Sequence, residues 1–365
     1  MMTHTIFALL LVIILFGWLL LSYLFNPTGG GNTQKLSLDY YLSPQISNAL
    51  KGVCAIVLIC HHWCLYNLHT ITAPNFMEKI LPFFGGNFVL VIFLFLSGYG
   101  ITKSEEKSPN TVKRYTKKRI WKIYKPAIII YTITALVYMF ALQNPVEPSL
   151  IKENCLNEFI SDWSNHNISW LLLVKWYGIK LDWYVFTTLV LYVIFYVSYH
   201  IFSNASSTVV LKRISMTILL IAIYYVIAHE IFGAPLAHYY RNLWAFLLGV
   251  MVGLKSDLLK DFKFWIFCGL VLIFNHFQEG RNYDIGSLLA LAVLLFFGLT
   301  NRKYNINSRL FVYLGGISYY LYLSHRMFYN VLWSYDKLYF PLFIILSVGF
   351  ATIYTMIVRR TIHIA

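Results

Sequence analysis

Eleven separate apolar stretches, most of them 20 to 24 residues long, restrict this chain to one kind of fold. About twenty apolar residues in a helix match the roughly 30 Å hydrocarbon layer of a bilayer. A helix also satisfies its own backbone donors and acceptors, which lipid cannot do. The first stretch covers 5–25, and ten more run roughly 49–69, 80–101, 124–143, 181–202, 212–232, 240–254, 263–277, 284–299, 310–333 and 338–358. The chain is 59% hydrophobic and 12% charged, with no segment left over for a soluble catalytic domain. The expected fold is all-α: a polytopic membrane helix bundle with a ten-helix core and one additional N-terminal transmembrane helix.

No Lys or Arg precedes the first stretch, and Asn26-Pro27-Thr28 follows it without a small-residue cleavage pattern. It reads as a retained helix, not a signal peptide. The glycine run Gly29-Gly30-Gly31 opens the one credible linker. The expected organisation is therefore an N-terminal helix and linker start at 1–30, a cytoplasmic linker at 31–48, a membrane domain at 49–358 and a cytoplasmic tail at 359–365. The longest connection, 144–180, contains the aromatic run NISWLLLVKWYGI, which is too short to span and suits an interfacial or re-entrant element.

Charge orients the bundle. Nine Lys or Arg lie between Lys103 and Lys125, which marks that loop as cytoplasmic. Alternation from there places 21 of the 29 Lys and Arg on the same side. The amino terminus then lies outside and the carboxyl terminus inside. The net charge of +14 is thereby absorbed by inner loops, and no basic nucleic-acid domain remains.

An ionisable residue inside a membrane helix is costly and usually functional. In NALKGVCAIVLICHHW, Lys51 precedes His62 by eleven residues, which returns to within about 20° of the same helix face and roughly 16 Å along the axis. His61 points about 80° away from that face. His62 and His325, in GGISYYLYLSHRMF, reach similar depths in the outer half of the bilayer. Trp183, Glu230 and Arg241 fall near the same outer surface, so an outward cavity with substrate contacts is expected. A helix-end Arg or Glu also serves as an interfacial anchor, and a lone His as a packing residue. Imidazole suits removal of a proton from a hydroxyl, because its ordinary pKa near 6.5 lies close to working pH. A metal site at Cys60, His61, His62 and Cys64 is set aside, since four ligands around one rigid helix cannot converge on one ion.

On the inner loop, Arg119 and Lys122 stand one turn apart before the next span and form a candidate phosphate clamp. The same charges are a topology signal that attracts anionic lipids.

These residues resemble the integral-membrane acyltransferase-3 family over 48 to about 358. The family's basic residue, separated by ten residues from an essential His, is similar to Lys51 and His62, with Lys where Arg is commoner. Phe93-Leu94-Phe95-Leu96-Ser97-Gly98-Tyr99-Gly100 resembles its Ser-Gly-aromatic signature, although Val89 and Val91 stand where many members have Gly and Asp. Arg119-Ile120-Trp121-Lys122 with Pro126 is similar to its Arg-x-x-Arg and Pro, with Lys for the second Arg. Arg241, Phe246 and Gly249 match its later Arg, Phe and Gly pattern. Ser318 to His325 resembles its Ser-Tyr-x-x-Tyr-Leu-x-His.

The resemblance implies O-acyl transfer, most simply O-acetyl transfer, from cytoplasmic acyl-coenzyme A to a hydroxyl of an extracytoplasmic carbohydrate. Capsule, exopolysaccharide and lipopolysaccharide units are the acceptors expected of a stand-alone membrane domain. The co-substrate it implies is acyl-coenzyme A, most simply acetyl-coenzyme A, with no cofactor held permanently. It implies His62 as base, Lys51 and His325 as supporting catalytic groups, and Arg119, Lys122 and Ser97 along the donor path. The acceptor side falls to Arg241, Trp183 and Glu230. Expected partners are the donor, the glycan or a lipid-linked glycan, and the bilayer of a bacterial cell membrane, with no nucleic acid. Direct transfer and an acyl-His intermediate both remain open. A transporter that uses intramembrane His and Lys to bind substrate or protons is the contrasting reading, although no broken-helix pair or inverted repeat is visible.

Overall fold

The computed structural model describes residues 2–25, 42–68, 76–109, 111–141, 183–202, 208–232, 242–255, 269, 284–300, 308–334 and 339–362. Every element among them is helical. In chain order they are α1 (Met2–Leu24), α2 (Pro44–Leu68), α3 (Phe76–Lys107), α4 (Val112–Tyr115), a π-helical turn (Thr116–Ile120), α5 (Trp121–Ala141), α6 (Trp183–His200), α7 (Val209–Phe232), α8 (Leu243–Leu254), α9 (Asp284–Thr300), α10 (Arg309–Ser334) and α11 (Phe340–Ile362). Nine of the ten expected core spans coincide with helices in this series. The span at 263–277, the connection at 144–180 and the glycine linker lie outside the described residues.

Six described helices are long and apolar enough to cross a membrane: α1, α2, α3, α6, α7 and α11. Two more, α8 and α9, are apolar but shorter. On α7 and α11, Leu211, Leu219, Val226, Ile345, Ile353 and Met356 are exposed. A surface this apolar is matched to acyl chains.

The chain divides into two compact units. The first comprises Met1–Asn110, Ile194–Glu230 and Tyr240–Ser318. Its central element is α3, which packs against α1, α2, α8 and α9. At 32 residues α3 is about 48 Å long, more than the hydrocarbon layer requires. Its polar end runs from Lys103 to Lys107. There Glu105 is fully buried beside His200 at 3.6 Å, and the Arg213 guanidinium lies 3.7 Å from the centre of the Tyr199 ring.

Helix association within a bilayer depends on close backbone approach, because lipid offers no hydrophobic drive between helices. The α3–α8 crossing achieves this with glycine on both sides. A β-carbon at Gly249 would collide with the Phe95 carbonyl oxygen, and one at Gly98 with the Phe246 carbonyl oxygen. The start of α2 meets α10 in the same way: a β-carbon at Gly52 would lie 2.7 Å from the Gly315 nitrogen. Helix α1 is part of this packing. Its Tyr23 is fully buried, shares a 2.8 Å hydrogen bond with Thr300 of α9 and contacts Phe297 edge-on.

The second unit comprises Thr111–Val193, Ile231–Tyr239 and Tyr319–Ala365. Tyrosine hydroxyls donate to backbone carbonyls across its helices: Tyr115 to Tyr192 at 2.7 Å and Tyr319 to Ile123 at 2.7 Å. Aromatic contacts between α10 and α11 complete it, including Tyr320 with Tyr354 and Tyr329 with Phe343.

Candidate active site

In the first unit, Lys51 and His62 lie on one unbroken helix, α2. Every residue from Gly52 to Cys64 is buried except His62, which is partly exposed. An otherwise packed membrane helix thus opens at one imidazole. Lys51, also partly exposed, sits where α2 meets Leu314 and Gly315 of α10. Cys54, Cys60 and Cys64 are buried free thiols on the same helix.

His61 has a different setting from its neighbour. It is 8% exposed, and its Nδ1 lies 2.8 Å from the Leu81 carbonyl oxygen of α3. A carbonyl only accepts, so Nδ1 carries the proton. The ring lies on Gly85 and Gly86, where a β-carbon on Gly86 would come within 2.7 Å of Nε2. The His61 and His62 ring centroids are 5.3 Å apart.

One residue further along α3, a buried polar ladder begins. The Asn87 amide donates to Ser287 Oγ of α9 at 2.6 Å, and the Asn242 amide donates to Asn87 Oδ1 at 2.5 Å. Asn242, at the start of α8, is the one positive-φ non-glycine among the described residues, at φ 57°. Its Oδ1 is buried with no hydrogen-bond partner among the described residues. Arg241, the residue before it, lies outside the described residues.

Two other expected contacts in this unit are simpler. Ser97 is partly exposed beside Gly98, whose missing side chain makes the α8 crossing. Glu230, at the end of α7, is exposed and lies beside its neighbour His229, with Nδ1 3.4 Å from Oε1. That geometry suits an interfacial anchor.

In the second unit, Arg119 belongs to the π-helical turn and Lys122 to the first turn of α5. π-helical turns recur at functional sites. Lys122 is exposed, whereas Arg119 is partly buried and its Nε has no hydrogen-bond partner among the described residues.

The same unit connects Trp183 to His325 through aromatic rings. Trp183 contacts Tyr184 at 5.9 Å, Tyr184 contacts Tyr322 of α10 at 5.2 Å, and Tyr322 lies 6.1 Å from the His325 ring. His325 is buried and its Nδ1 donates to the Tyr322 carbonyl at 2.6 Å. With Nδ1 protonated, Nε2 is the acceptor nitrogen of the neutral ring.

Sequence reasoning set His61 aside on its angle and did not single out Asn87, Asn242 or Ser287. The signal for the first was present: two consecutive glycines in a membrane helix, each disfavoured by about 1 kcal/mol against alanine, need a close neighbour to explain them. The ladder has no such local signal, since Asn87 and Ser287 are 200 residues apart.

A family model described as "Acyltransferase domain" matches residues 45–360, most of the chain. No curated protein and no solved structure matches it.

Proposed function

The chain belongs to the acyltransferase-3 family, and from that premise we propose that this membrane acyltransferase moves an acyl group from acyl-coenzyme A to a carbohydrate hydroxyl on the opposite side of the bilayer. The donor is made in the cytoplasm, the side to which the basic loops are assigned. Acetyl is the simplest acyl group for the reaction.

The observation that carries the reading is that His62 is the one partly exposed residue in the otherwise buried stretch of α2 from Gly52 to Cys64. A general base needs access to its proton donor within a site otherwise closed to water. In the proposed step, a His62 ring nitrogen takes the proton of the acceptor hydroxyl as its oxygen attacks the thioester carbonyl. The tetrahedral intermediate collapses, the carbon–sulfur bond breaks, and the imidazolium returns the proton to the departing thiolate. The products are the ester and free coenzyme A.

Arg119, with its unpartnered Nε, and Lys122 bind the donor's phosphates by charge-assisted hydrogen bonds. Lys51 supports the donor end of the path. His325 accepts the hydrogen bond of an acceptor hydroxyl, and Trp183 offers an aromatic face to a sugar ring. Arg241 and Glu230 complete the proposed acceptor contacts, and Ser97 borders the donor arm.

The test is ester formation by the purified protein in lipid vesicles, with labelled acetyl-coenzyme A and a glycan mixture. His62→Gln should reduce ester formation by at least about a thousandfold, within the range for loss of a general base, while insertion and donor binding persist. Retained turnover in this variant would overturn the assignment. Movement of unmodified glycan without esterification would favour the transporter reading.

A further inference from the structure

Resting on that reading, we infer that His61 is a positioning residue: its imidazole pins α2 against α3 and thereby sets where the neighbouring His62 presents its ring. Three observations converge on it. The Nδ1 proton is committed to the Leu81 carbonyl at 2.8 Å, which fixes the tautomer and ring plane. The ring face lies on Gly85 and Gly86, where no other residue leaves room, since a Gly86 β-carbon would meet Nε2 at 2.7 Å and Cε1 at 3.0 Å. The α3 segment receiving the ring is itself held by the ladder from Asn87 to Asn242 and Ser287.

The geometry gives this pin leverage on the chemistry. A side-chain group on a helix lies about 5 to 6 Å from the axis, so a 10° rotation moves it by about 1 Å. Misplacement on that scale is enough to lower an oriented reaction about a hundredfold. The Gly52–Gly315 contact fixes α2 near Lys51, about 15 Å along the axis from His62, so resistance to a local rotation is needed closer to the base. A polar pin one residue from the base supplies it, because its hydrogen bond has no water to compete for it.

The inference separates the two ring nitrogens. An asparagine amide reaches the place of Nδ1 and can donate to the Leu81 carbonyl, whereas a glutamine amide reaches the place of Nε2. In lipid vesicles, His61→Ala should lower kcat by about tenfold to a hundredfold while KM for acetyl-coenzyme A stays within about twofold. His61→Asn should restore kcat to within about threefold of the parent, and His61→Gln should not. Gly86→Ala should reproduce the loss in the parent, and should cost less alongside His61→Asn, whose side chain stops short of Gly86. A full kcat for His61→Ala, or an Asn variant as slow as the Ala variant, overturns the inference.

A second readout does not depend on catalysis. Carbethoxylation of His62 by diethyl pyrocarbonate, followed by mass spectrometry, should change severalfold in His61→Ala and return to the parent rate in His61→Asn. Unchanged labelling in the Ala variant overturns the inference whether or not the protein transfers acyl groups. If the expected labelling pattern holds and the parent forms no ester, only the acyltransfer reading fails.

Discussion

Adjacent residues of one type can have opposite settings: His61 is enclosed and its donor committed, whereas His62 is the opening in α2. A comparable contrast separates Arg119 from Lys122. The Arg119 side chain is partly buried, whereas Lys122 is exposed, so in the proposed clamp Arg119 holds its charge in the less screened setting. Arg119→Ala should raise KM for acetyl-coenzyme A by about tenfold with little change in kcat, the size of one charge-assisted hydrogen bond. Arg119→Lys should recover part of this, since lysine restores charge without the fork. Lys122→Ala should have a smaller effect, because an exposed ammonium is screened. A kinetic titration of the donor checks all three. Identical donor dependence in the parent and Arg119→Ala would remove the clamp from the mechanism.

Among the elements, α3 and α8 meet backbone to backbone. The Gly98 and Gly249 positions can accept no side chain without moving a main-chain carbonyl, which cannot rotate away. Gly249→Ala should therefore destabilise by about 1 to 3 kcal/mol, as overpacking does, and lower the thermal unfolding midpoint in detergent. Gly17 on α1 has nothing within 4 Å of a β-carbon, so Gly17→Ala should cost no stability and gain up to about 1 kcal/mol from helix propensity. Equal midpoints for the two variants would show that the crossing does not limit stability. The contrast also shows what the sequence can carry. Membrane-length helices were legible from apolar length, because the bilayer sets that length physically. Ser97-Gly98 was visible as a motif, but whether it packs or binds depends on Phe246, which approaches from another helix 148 positions away. Trp183 and His325 were grouped by depth, and contacts through Tyr184 and Tyr322 join them. Glu230 was grouped on the same grounds, yet it sits exposed beside His229.

At the scale of the whole molecule, the proposed orientation rests on charge, since translocating a basic segment is unfavourable. In a background lacking the five native cysteines, Lys107→Cys should react with a membrane-impermeant maleimide only when the cytoplasmic face is open to reagent. Labelling in intact cells would reverse the proposed topology. The order in which the first unit is made has a further consequence. Asn87 emerges early, but its partners Asn242 and Ser287 follow 155 and 200 residues later. At a synthesis rate of about 5 to 20 residues per second, roughly 10 to 40 s separate Asn87 from Ser287. During that interval the nascent α3 holds an amide two of whose permanent partners do not yet exist, in a solvent that offers no replacement for them. The biogenesis machinery must shelter this half-built helix, so the ladder that later rigidifies the unit also makes α3 its most vulnerable segment at birth.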